Sequence, residues 1–278
     1  MNKLYPTSDD FDYVIAKVDI GTKSYFLDAT EPLLGFGMLP LRCLNGDGRL
    51  MNLNGPSDWI NIGTDQKKST ITTLDLTLHN DGKINGKLIQ YSSGYAAYLK
   101  REAIKGFNTI DEYIENHEQP STGRLRIIKS AIENLDSLDK PVVESYDIEF
   151  DLKRDTNDNK LVFNPFTFDH ITNNPFRQEE RIYPVDMGMP DESRYILTLH
   201  LPESVVIEET VKPESVALPN QGGKFVSDFQ FHDNLFIYSH ITQFSRSVYW
   251  PNEYPALKEF YNTMIQSERQ NLILKKIK

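Results

Sequence analysis

Apolar and polar residues alternate along much of the chain, which is the pattern of half-buried β-strands. The clearest run covers residues 69–78, where one face is mostly polar and the other carries Thr72, Leu74, Leu76 and Leu78. Asn80-Asp81-Gly82 then gives a strong turn signal, and residues 83–92 alternate again. The pattern therefore predicts a β-hairpin in this part of the chain.

Similar patterns predict most of the remaining elements. Near the N-terminus, residues 13–20 and 24–29 predict an antiparallel pair across Gly21-Thr22, Asn45-Gly46-Asp47-Gly48 predicts a turn, and residues 59–62 predict a short strand. Further strands are predicted at 142–152, 194–201, 204–209 and 271–277, with a hairpin of 224–232 and 234–244 about Asp233. Helical spacing predicts helices at 94–106, 110–114 and 255–267, and residues 125–135 fit either a helix or a strand. These elements indicate a mainly β (α+β) fold, with antiparallel sheets or a β-sandwich and a few helices.

The order of these elements suggests three segments. Residues 1–65 carry short strands and an apolar loop at 32–40, residues 66–165 are β-rich with short helices, and residues 166–278 end in a helix. The last two segments can equally form one domain at residues 66–278, because a core of that size is within the usual limit.

Composition narrows the classes of function. The chain has 278 residues, of which 39% are hydrophobic and 11% aromatic, and its net charge is −10. This charge argues against nucleic-acid binding, which depends on clustered Lys and Arg. No apolar run is long enough for a membrane span, and no signal peptide opens the chain. The single cysteine, Cys43, permits no internal disulfide.

Candidate chemistry lies at the N-terminus, where Asp28 closes a predicted strand in the phrase Leu27-Asp28-Ala29-Thr30 and a Gly/Pro-rich loop follows. This pattern resembles the last third of a transglutaminase-like (papain-type) catalytic core, in which Cys, His and Asp follow one another. The resemblance implies that Asp28 is the orienting carboxylate of such a triad. It also implies that the phrase Phe11-Asp12-Tyr13-Val14 puts Tyr13 at the position of the family's histidine.

That substitution matters, because acyl transfer needs a thiolate, an imidazole that takes its proton, and a carboxylate that orients the imidazole. A phenol keeps its proton at neutral pH and is a poor substitute for the imidazole. Cys43 comes after Asp28, in a loop that carries no nucleophile in the family. By the resemblance, the family's nucleophile is expected upstream of residue 1.

The resemblance extends to later phrases, including the Gly94–Arg101 stretch, residues 181–186, the run LHLPESVVIEE and the phrase YPALKEFY. These resemble the β-rich C-terminal region of a bacterial family of unknown function. In that family a transglutaminase-like core lies between an N-terminal β-sandwich and a related C-terminal one. The resemblance implies a periplasmic or cell-envelope location. It also implies that this chain departs from the family by lacking the first sandwich, the thiol-bearing helix and the His.

Each candidate residue also has a structural interpretation. Asp28 can close an Asx-type turn, Tyr13 can be a half-buried sheet aromatic, and Cys43 can be a buried, inert thiol. Arg101 and Arg181 are expected to be exposed or ion-paired, with anion binding as the alternative.

Metal sites are weakly indicated. His232 and His240 suggest zinc only if they share a face, and no third ligand accompanies them. Residues 155–159 imitate the start of a calcium loop, but Lys160 and Phe166 replace the required Gly and Glu. We therefore expect no cofactor.

Three functions remain open. The first is a non-catalytic module that contacts a protein partner, or the N-terminal part of a longer protein. The second is part of a thiol acyltransferase or peptidase whose Cys lies upstream, so enzymatic activity stays uncertain. The third is a sugar-binding sandwich that uses aromatic residues such as Tyr249 and Trp250.

Overall fold

The computed structural model describes residues 3–44, 46–52, 54–64, 66–117, 125–155, 160–166, 168 and 171–277. The chain divides into two compact units, Met1–Gln66 and Lys67–Lys278. Strands account for 45% of the structure and helices for 17%, which confirms the predicted mainly β fold.

The first unit contains two short antiparallel ribbons. They pair β1 (Ala16–Ile20) with β2 (Lys23–Leu27), and β3 (Gly46–Leu50) with β4 (Asp58–Ile62). The predicted pair around Gly21 is confirmed, although its strands are shorter than expected.

The turn predicted at residues 45–48 is wrong, because β3 begins at Gly46; Asn45 lies outside the described residues. A Cβ atom on Gly48 would lie 2.2 Å from Cδ1 of Ile62, so this glycine makes room for a side chain of the partner strand. Its conformational freedom is not used for a turn.

The first half of the second unit supplies a hairpin, two helices and two further strands. They are β5 (Lys68–Leu78), β6 (Lys83–Gly94), α1 (Tyr95–Lys105), α2 (Ile110–His117), β7 (Arg126–Glu133) and β8 (Val142–Asp151). The hairpin and both helices agree with the sequence pattern, and the ambiguous segment 125–135 is a strand. The buried face of β5 carries the predicted residues Thr72, Leu74, Leu76 and Leu78.

The second half of this unit adds ten strands and a long helix. They are β9 (Lys153–Asp155), β10 (Lys160–Phe163), β11 (Val185–Asp186), β12 (Asp191–His200), β13 (Val205–Glu209), β14 (Glu214–Leu218), β15 (Gly223–His232), β16 (Leu235–Phe244), β17 (Val248–Tyr249), α3 (Tyr254–Glu268) and β18 (Leu272–Lys276). The predicted hairpin about Asp233 is confirmed, whereas β14 has no counterpart among the predictions.

One large sheet joins the two halves of the second unit. Its eight strands follow the order β14-β15-β16-β12-β5-β6-β8-β7, and all neighbours are antiparallel except β12 and β5. The parallel pair runs from Asp191 opposite Lys68 to His200 opposite Thr77. A second sheet has the order β13-β18-β10-β9.

Two clusters of buried side chains cover the inner face of the large sheet. The first contains residues of both sheets, such as Leu76, Leu197, Phe163 and Leu274, together with side chains of α1 and α2. The second lies under α3, where Leu257 and Phe260 meet Phe225 and Phe244 of β15 and β16.

The outer face of the large sheet is formed by the residues that alternate with the buried ones. Strand register places Arg194, Ile71, Tyr91 and Val143 in one row across four neighbouring strands. Toward the other end of the same strands the rows become polar; one of them contains His200, Thr77, Asn85 and Glu149. The outer face therefore has a polar end and, toward its other end, an apolar patch that includes Ile71, Tyr91 and Ile196 and is bordered by Arg194 and by the row of Glu192, Ser69 and Ser93. We call this patch the apolar end.

Candidate functional site

The open end of the β1–β2 hairpin brings together the predicted site residues. Ala16 pairs with Leu27 at this end, so the residues just outside the two strands lie side by side. Tyr13 had been predicted to lie inside the first strand, but it lies three residues before β1. Asp28 directly follows β2. The two side chains nevertheless meet.

Asp28 is held by hydrogen bonds on both oxygens. The hydroxyl of Tyr13 donates to Oδ2 at 2.5 Å, while the amide and the hydroxyl of Thr30 each donate to Oδ1 at 2.8 Å. Partial burial raises the pKa of Asp28, but these hydrogen bonds outweigh it and the pKa lies below the ordinary value of 3.8. The Asx-type turn and the contact with Tyr13 are thus both present.

Arg42 completes this group of side chains. Its Nη2 donates to the hydroxyl of Tyr13 at 2.9 Å and to Oε1 of Glu31 at 2.8 Å, and its Cζ lies 4.6 Å from the centroid of the Tyr13 ring. The hydrogen bond to Glu31 is the main reason that the pKa of Arg42 is raised above its ordinary value. We call Tyr13, Asp28, Thr30, Glu31 and Arg42 the Tyr13–Asp28 cluster.

Cys43 follows Arg42 in a short 3₁₀ turn, Leu41–Cys43, and is buried as expected. Burial raises the pKa of its thiol, and the positive charge of Arg42 opposes that shift only in part. The negative charges of Asp28, Asp12 and Glu31 also raise the pKa of the thiol, which is therefore kept in its protonated form at neutral pH.

The Tyr13–Asp28 cluster has little capacity for proton transfer. The phenol O–H donates a hydrogen bond to the carboxylate of Asp28, and its oxygen accepts a hydrogen bond from the permanently charged Arg42. The sequence analysis identified Tyr13 and Asp28 but missed Arg42 and Glu31. No local motif marks these two residues, since the loop alone brings them to the hairpin end.

Arg101 was predicted to be exposed or ion-paired, and this prediction is wrong, because its side chain is buried and only 2% exposed. Its guanidinium donates to the carbonyls of residues 134, 135, 137 and 140, at distances from 2.8 to 3.1 Å. Burial lowers its pKa, against the opposing effect of Asp136 and Asp139. Arg101 therefore fixes the loop before β8 and is not available to an anion.

The two candidate zinc ligands lie apart. His232 is exposed at the end of β15, whereas His240 is only 2% exposed and faces the core from β16. Nε2 of His240 lies 3.2 Å from Oε1 of Glu268, and its ring stacks on Phe166 with a centroid distance of 4.4 Å. The described residues include no group of His, Cys, Asp and Glu that could hold a metal ion.

The aromatic loop expected to bind sugar is also divided between surface and core. Tyr249 is 1% exposed and donates its hydroxyl to the carbonyl of Gly222 at 2.6 Å, while Trp250 is 58% exposed. The prediction of a sugar-binding surface that uses both rings is therefore wrong. Most of the calcium-like loop, residues 156–159, lies outside the described residues.

Comparisons with known proteins find one family. Residues 159–274, less than half of the chain, match DUF3858, a "Domain of Unknown Function with solved-structure structure". This region contains β10 to β17, α3 and the first residues of β18. No curated protein matches the chain.

Among solved structures, the chain resembles a "putative protease" from Parabacteroides distasonis ATCC 8503, at 11% identity and a TM-score of 0.42. The alignment covers 94% of this chain and 35% of that one, so this chain spans about a third of its length. A likeness this weak carries no argument about activity. In the part of the chain that the structure describes, no helix is both long and apolar enough to cross a bilayer.

Proposed function

We propose that this chain is a non-catalytic module of a transglutaminase-like protein, in which the first unit is a remnant of the catalytic core. The resemblance of the segment around Asp28 to such a core suggests the ancestry. The proposal assigns the second unit, which includes the match to the domain of unknown function, to contacts with other proteins.

The Tyr13–Asp28 hydrogen bond is the observation that carries the proposal. In a working triad, the carboxylate orients an imidazole that cycles its proton during the reaction. Here the carboxylate accepts a hydrogen bond from a phenol at 2.5 Å, and Arg42 donates a hydrogen bond to the phenol oxygen at 2.9 Å. This arrangement suits a structural contact, because neither group is free to exchange a proton with a substrate.

The apolar end of the outer face supports the assignment to protein contacts. Ile71, Tyr91 and Ile196 lie there on three strands and are 38%, 39% and 40% exposed. Large exposed apolar patches on soluble proteins commonly mark interaction sites. In the proposal the partner is a protein surface of similar apolar character, either another protein or a further part of a longer chain.

The proposal also includes a periplasmic or cell-envelope location, which rests on the resemblance alone. Fractionation of the native cells, followed by detection with an antibody against this chain, tests the location. Recovery with cytosolic marker proteins would contradict it.

Assays of amide hydrolysis and of transamidation test the absence of catalysis. We expect no turnover above background for the chain or for Asp28→Ala, since removal of a triad member leaves only residual catalysis, about 10³-fold or more below an intact site. Asp28→Ala is expected to lower the thermal stability of the first unit. Turnover that Asp28→Ala abolishes, without loss of fold, would overturn the proposal in favour of an enzyme.

A further inference from the structure

A pocket of about 350 Å³ lies between the N-terminal turn of α3 and the segment that precedes β11. Its lining consists of Pro175, Phe176, Arg177, Gln178, Arg181 and Tyr254. Two arginines and two aromatic residues thus line one small concavity. The pocket is separate from the Tyr13–Asp28 cluster, which belongs to the first unit.

The pocket is preformed, because hydrogen bonds fix its loop to α3. The hydroxyl of Tyr254 and Nζ of Lys258 both donate to the carbonyl of Gln178, at 3.0 and 2.8 Å. Nδ2 of Asn174 donates a hydrogen bond to the carbonyl of Lys258 at 2.8 Å, and Oδ1 of Asn174 accepts one from the backbone N–H of Phe176 at 2.8 Å.

The base of the loop is equally well held. The ring of Phe176 packs edge-on against Tyr254 and Tyr261, with centroid distances of 5.7 and 5.0 Å. A loop that is anchored in this way loses little conformational entropy when a ligand binds.

Within the described residues, no carboxylate lies within 4.0 Å of the guanidinium of Arg177 or of Arg181. Glu179 and Glu180 lie between these two arginines in the sequence of the same loop, and the chain as a whole carries a net charge of −10. Arg181 stands over the Tyr254 ring, with 5.9 Å between its Cζ and the ring centroid.

A second depression, of about 940 Å³ at the polar end of the outer face, shows the opposite arrangement. Two of its carboxylates have close side-chain partners: Oδ1 of Asp75 lies 2.8 Å from Nε2 of His200, and Oδ1 of Asp147 lies 3.7 Å from Nζ of Lys87. Lys87 is the one lysine or arginine of this lining, which also holds three carboxylates, so the depression lacks a pair of guanidinium groups for an anion. The contrast makes the pocket at Arg177 and Arg181 the stronger candidate for a charged ligand.

We propose that the pocket at Arg177 and Arg181 binds a small oxyanion-bearing ligand, a carboxylate or a phosphate, whose body lies against Tyr254 and Pro175. Guanidinium groups match the geometry of both anions and form strong charge-assisted hydrogen bonds with them. The volume lies at the low end of the range for small-molecule sites, so the ligand is a compact molecule or the end of a chain.

Three related probes test this assignment on the full chain by NMR titration. Benzoate supplies a carboxylate, phenyl phosphate supplies a phosphate, and benzamide is the neutral isostere of benzoate. We expect at least one of the anions to bind and to shift the signals of Tyr254 and Gln178, and benzamide not to bind. If only one anion binds, it identifies the class of ligand.

Variants show whether the two guanidiniums cause the binding. Arg177→Gln and Arg181→Gln are each expected to weaken binding by at least about tenfold, the loss of a charge-assisted hydrogen bond. Arg126→Gln is the matched control, because it removes an exposed guanidinium from the far edge strand β7. If Arg181→Gln fails to fold, the titration of Arg177→Gln, which changes an exposed side chain, tests the assignment by itself.

Three results would overturn the assignment. Neither anion binds, benzamide binds as well as benzoate, or Arg126→Gln weakens binding as much as the pocket variants do. These results are independent of the assays of catalysis at the first unit.

Discussion

At the scale of single residues, the same side chains that suggest chemistry turn out to be fixed in place. The hydroxyl of Tyr13 donates a hydrogen bond to the carboxylate of Asp28, and the guanidinium of Arg101 donates hydrogen bonds to four backbone carbonyls. Cys43 is buried with a raised pKa. The residue types alone did not separate these roles, since an arginine or a cysteine has the same chemistry in a site or in a core.

Tyr13→Phe is expected to raise the pKa of Asp28, because the variant removes one hydrogen bond to the ionised carboxylate. Carboxyl ¹³C chemical shifts followed through an acid titration measure this pKa. Tyr5→Phe is the control, since Tyr5 is 78% exposed. An unchanged pKa of Asp28 in Tyr13→Phe would mean that the hydrogen bond is weak in solution.

The same shift has a consequence for acid stability. The folded-state pKa of Asp28 is depressed, so its stabilising contribution is present above the ordinary value of 3.8 and is lost as the pH falls through the folded-state pKa. In Asp28→Asn, the first unit is expected to lose less stability than the wild type on acidification through this range. Thermal unfolding followed at a series of acidic pH values tests this expectation.

Arg101→Met is expected to destabilise the second unit by about 3 kcal/mol, because buried carbonyls lose their donor. Urea denaturation monitored by circular dichroism measures the change. The matched substitution Arg126→Met affects an exposed side chain and is expected to stay within about 0.5 kcal/mol of the wild type. If the two substitutions lower the free energy of unfolding equally, the structural role of Arg101 is contradicted.

At the scale of elements, local patterns determine strands and helices well when one face is buried. The predicted stripe of α3, with Leu257, Phe260, Tyr261 and Met264, is buried in the structure. The glycines of β3 show the limit of such patterns. A glycine-rich sequence that usually forms a turn here belongs to a strand, because Gly48 leaves room for Ile62.

Gly86→Ala tests a close approach between two strands. A Cβ atom at Gly86 would lie 2.0 Å from the carbonyl oxygen of Asp75 and 2.8 Å from Cα of Leu76, so β5 and β6 would have to separate. We expect a loss of about 2 kcal/mol in the free energy of unfolding, as for other overpacked sites.

Gly106→Ala provides the control for this substitution. Gly106 has helical dihedral angles, φ −68° and ψ −14°, and a Cβ there would meet the carbonyl of Ala103 at 3.2 Å. The free energy of unfolding of Gly106→Ala is expected to be unchanged or slightly higher, since alanine favours the helical conformation. A Gly86→Ala variant as stable as Gly106→Ala would contradict the crowding.

At the scale of the molecule, the parallel contact between β5 and β12 joins distant parts of the second unit. It places Lys68 opposite Asp191, and Lys68 Nζ also lies 2.8 Å from Oδ2 of Asp191. Both strands lie in the middle of the eight-stranded sheet, whereas β14 and β7 form its edges. Central strands are expected to open only when the whole unit unfolds.

Amide hydrogen exchange tests this order of stability. We expect the slowest exchange in β5 and β12, at residues such as Leu76 and Leu197 that are fully buried, and faster exchange in β14 and β7. Mass spectrometry of the exchanged and digested protein measures each strand separately. Slowest exchange in an edge strand would show that the sheet is not the cooperative unit.

Elements with a local signal could be predicted from the amino-acid pattern. The alternation of residues 69–78 and the turn at Asn80-Asp81-Gly82 are sufficient for the hairpin of β5 and β6, because a period of two and a tight turn depend only on neighbouring residues. Features that depend on distant contacts became visible in the folded chain. The fold buried Arg101 and Tyr249, separated His232 from His240, brought Arg42 to Tyr13, and paired β12 with β5. The two paired strands are more than 120 positions apart in sequence, the carbonyls bound by Arg101 lie 33 to 39 positions away, and Tyr13 and Arg42 are 29 positions apart. No local period carries that information.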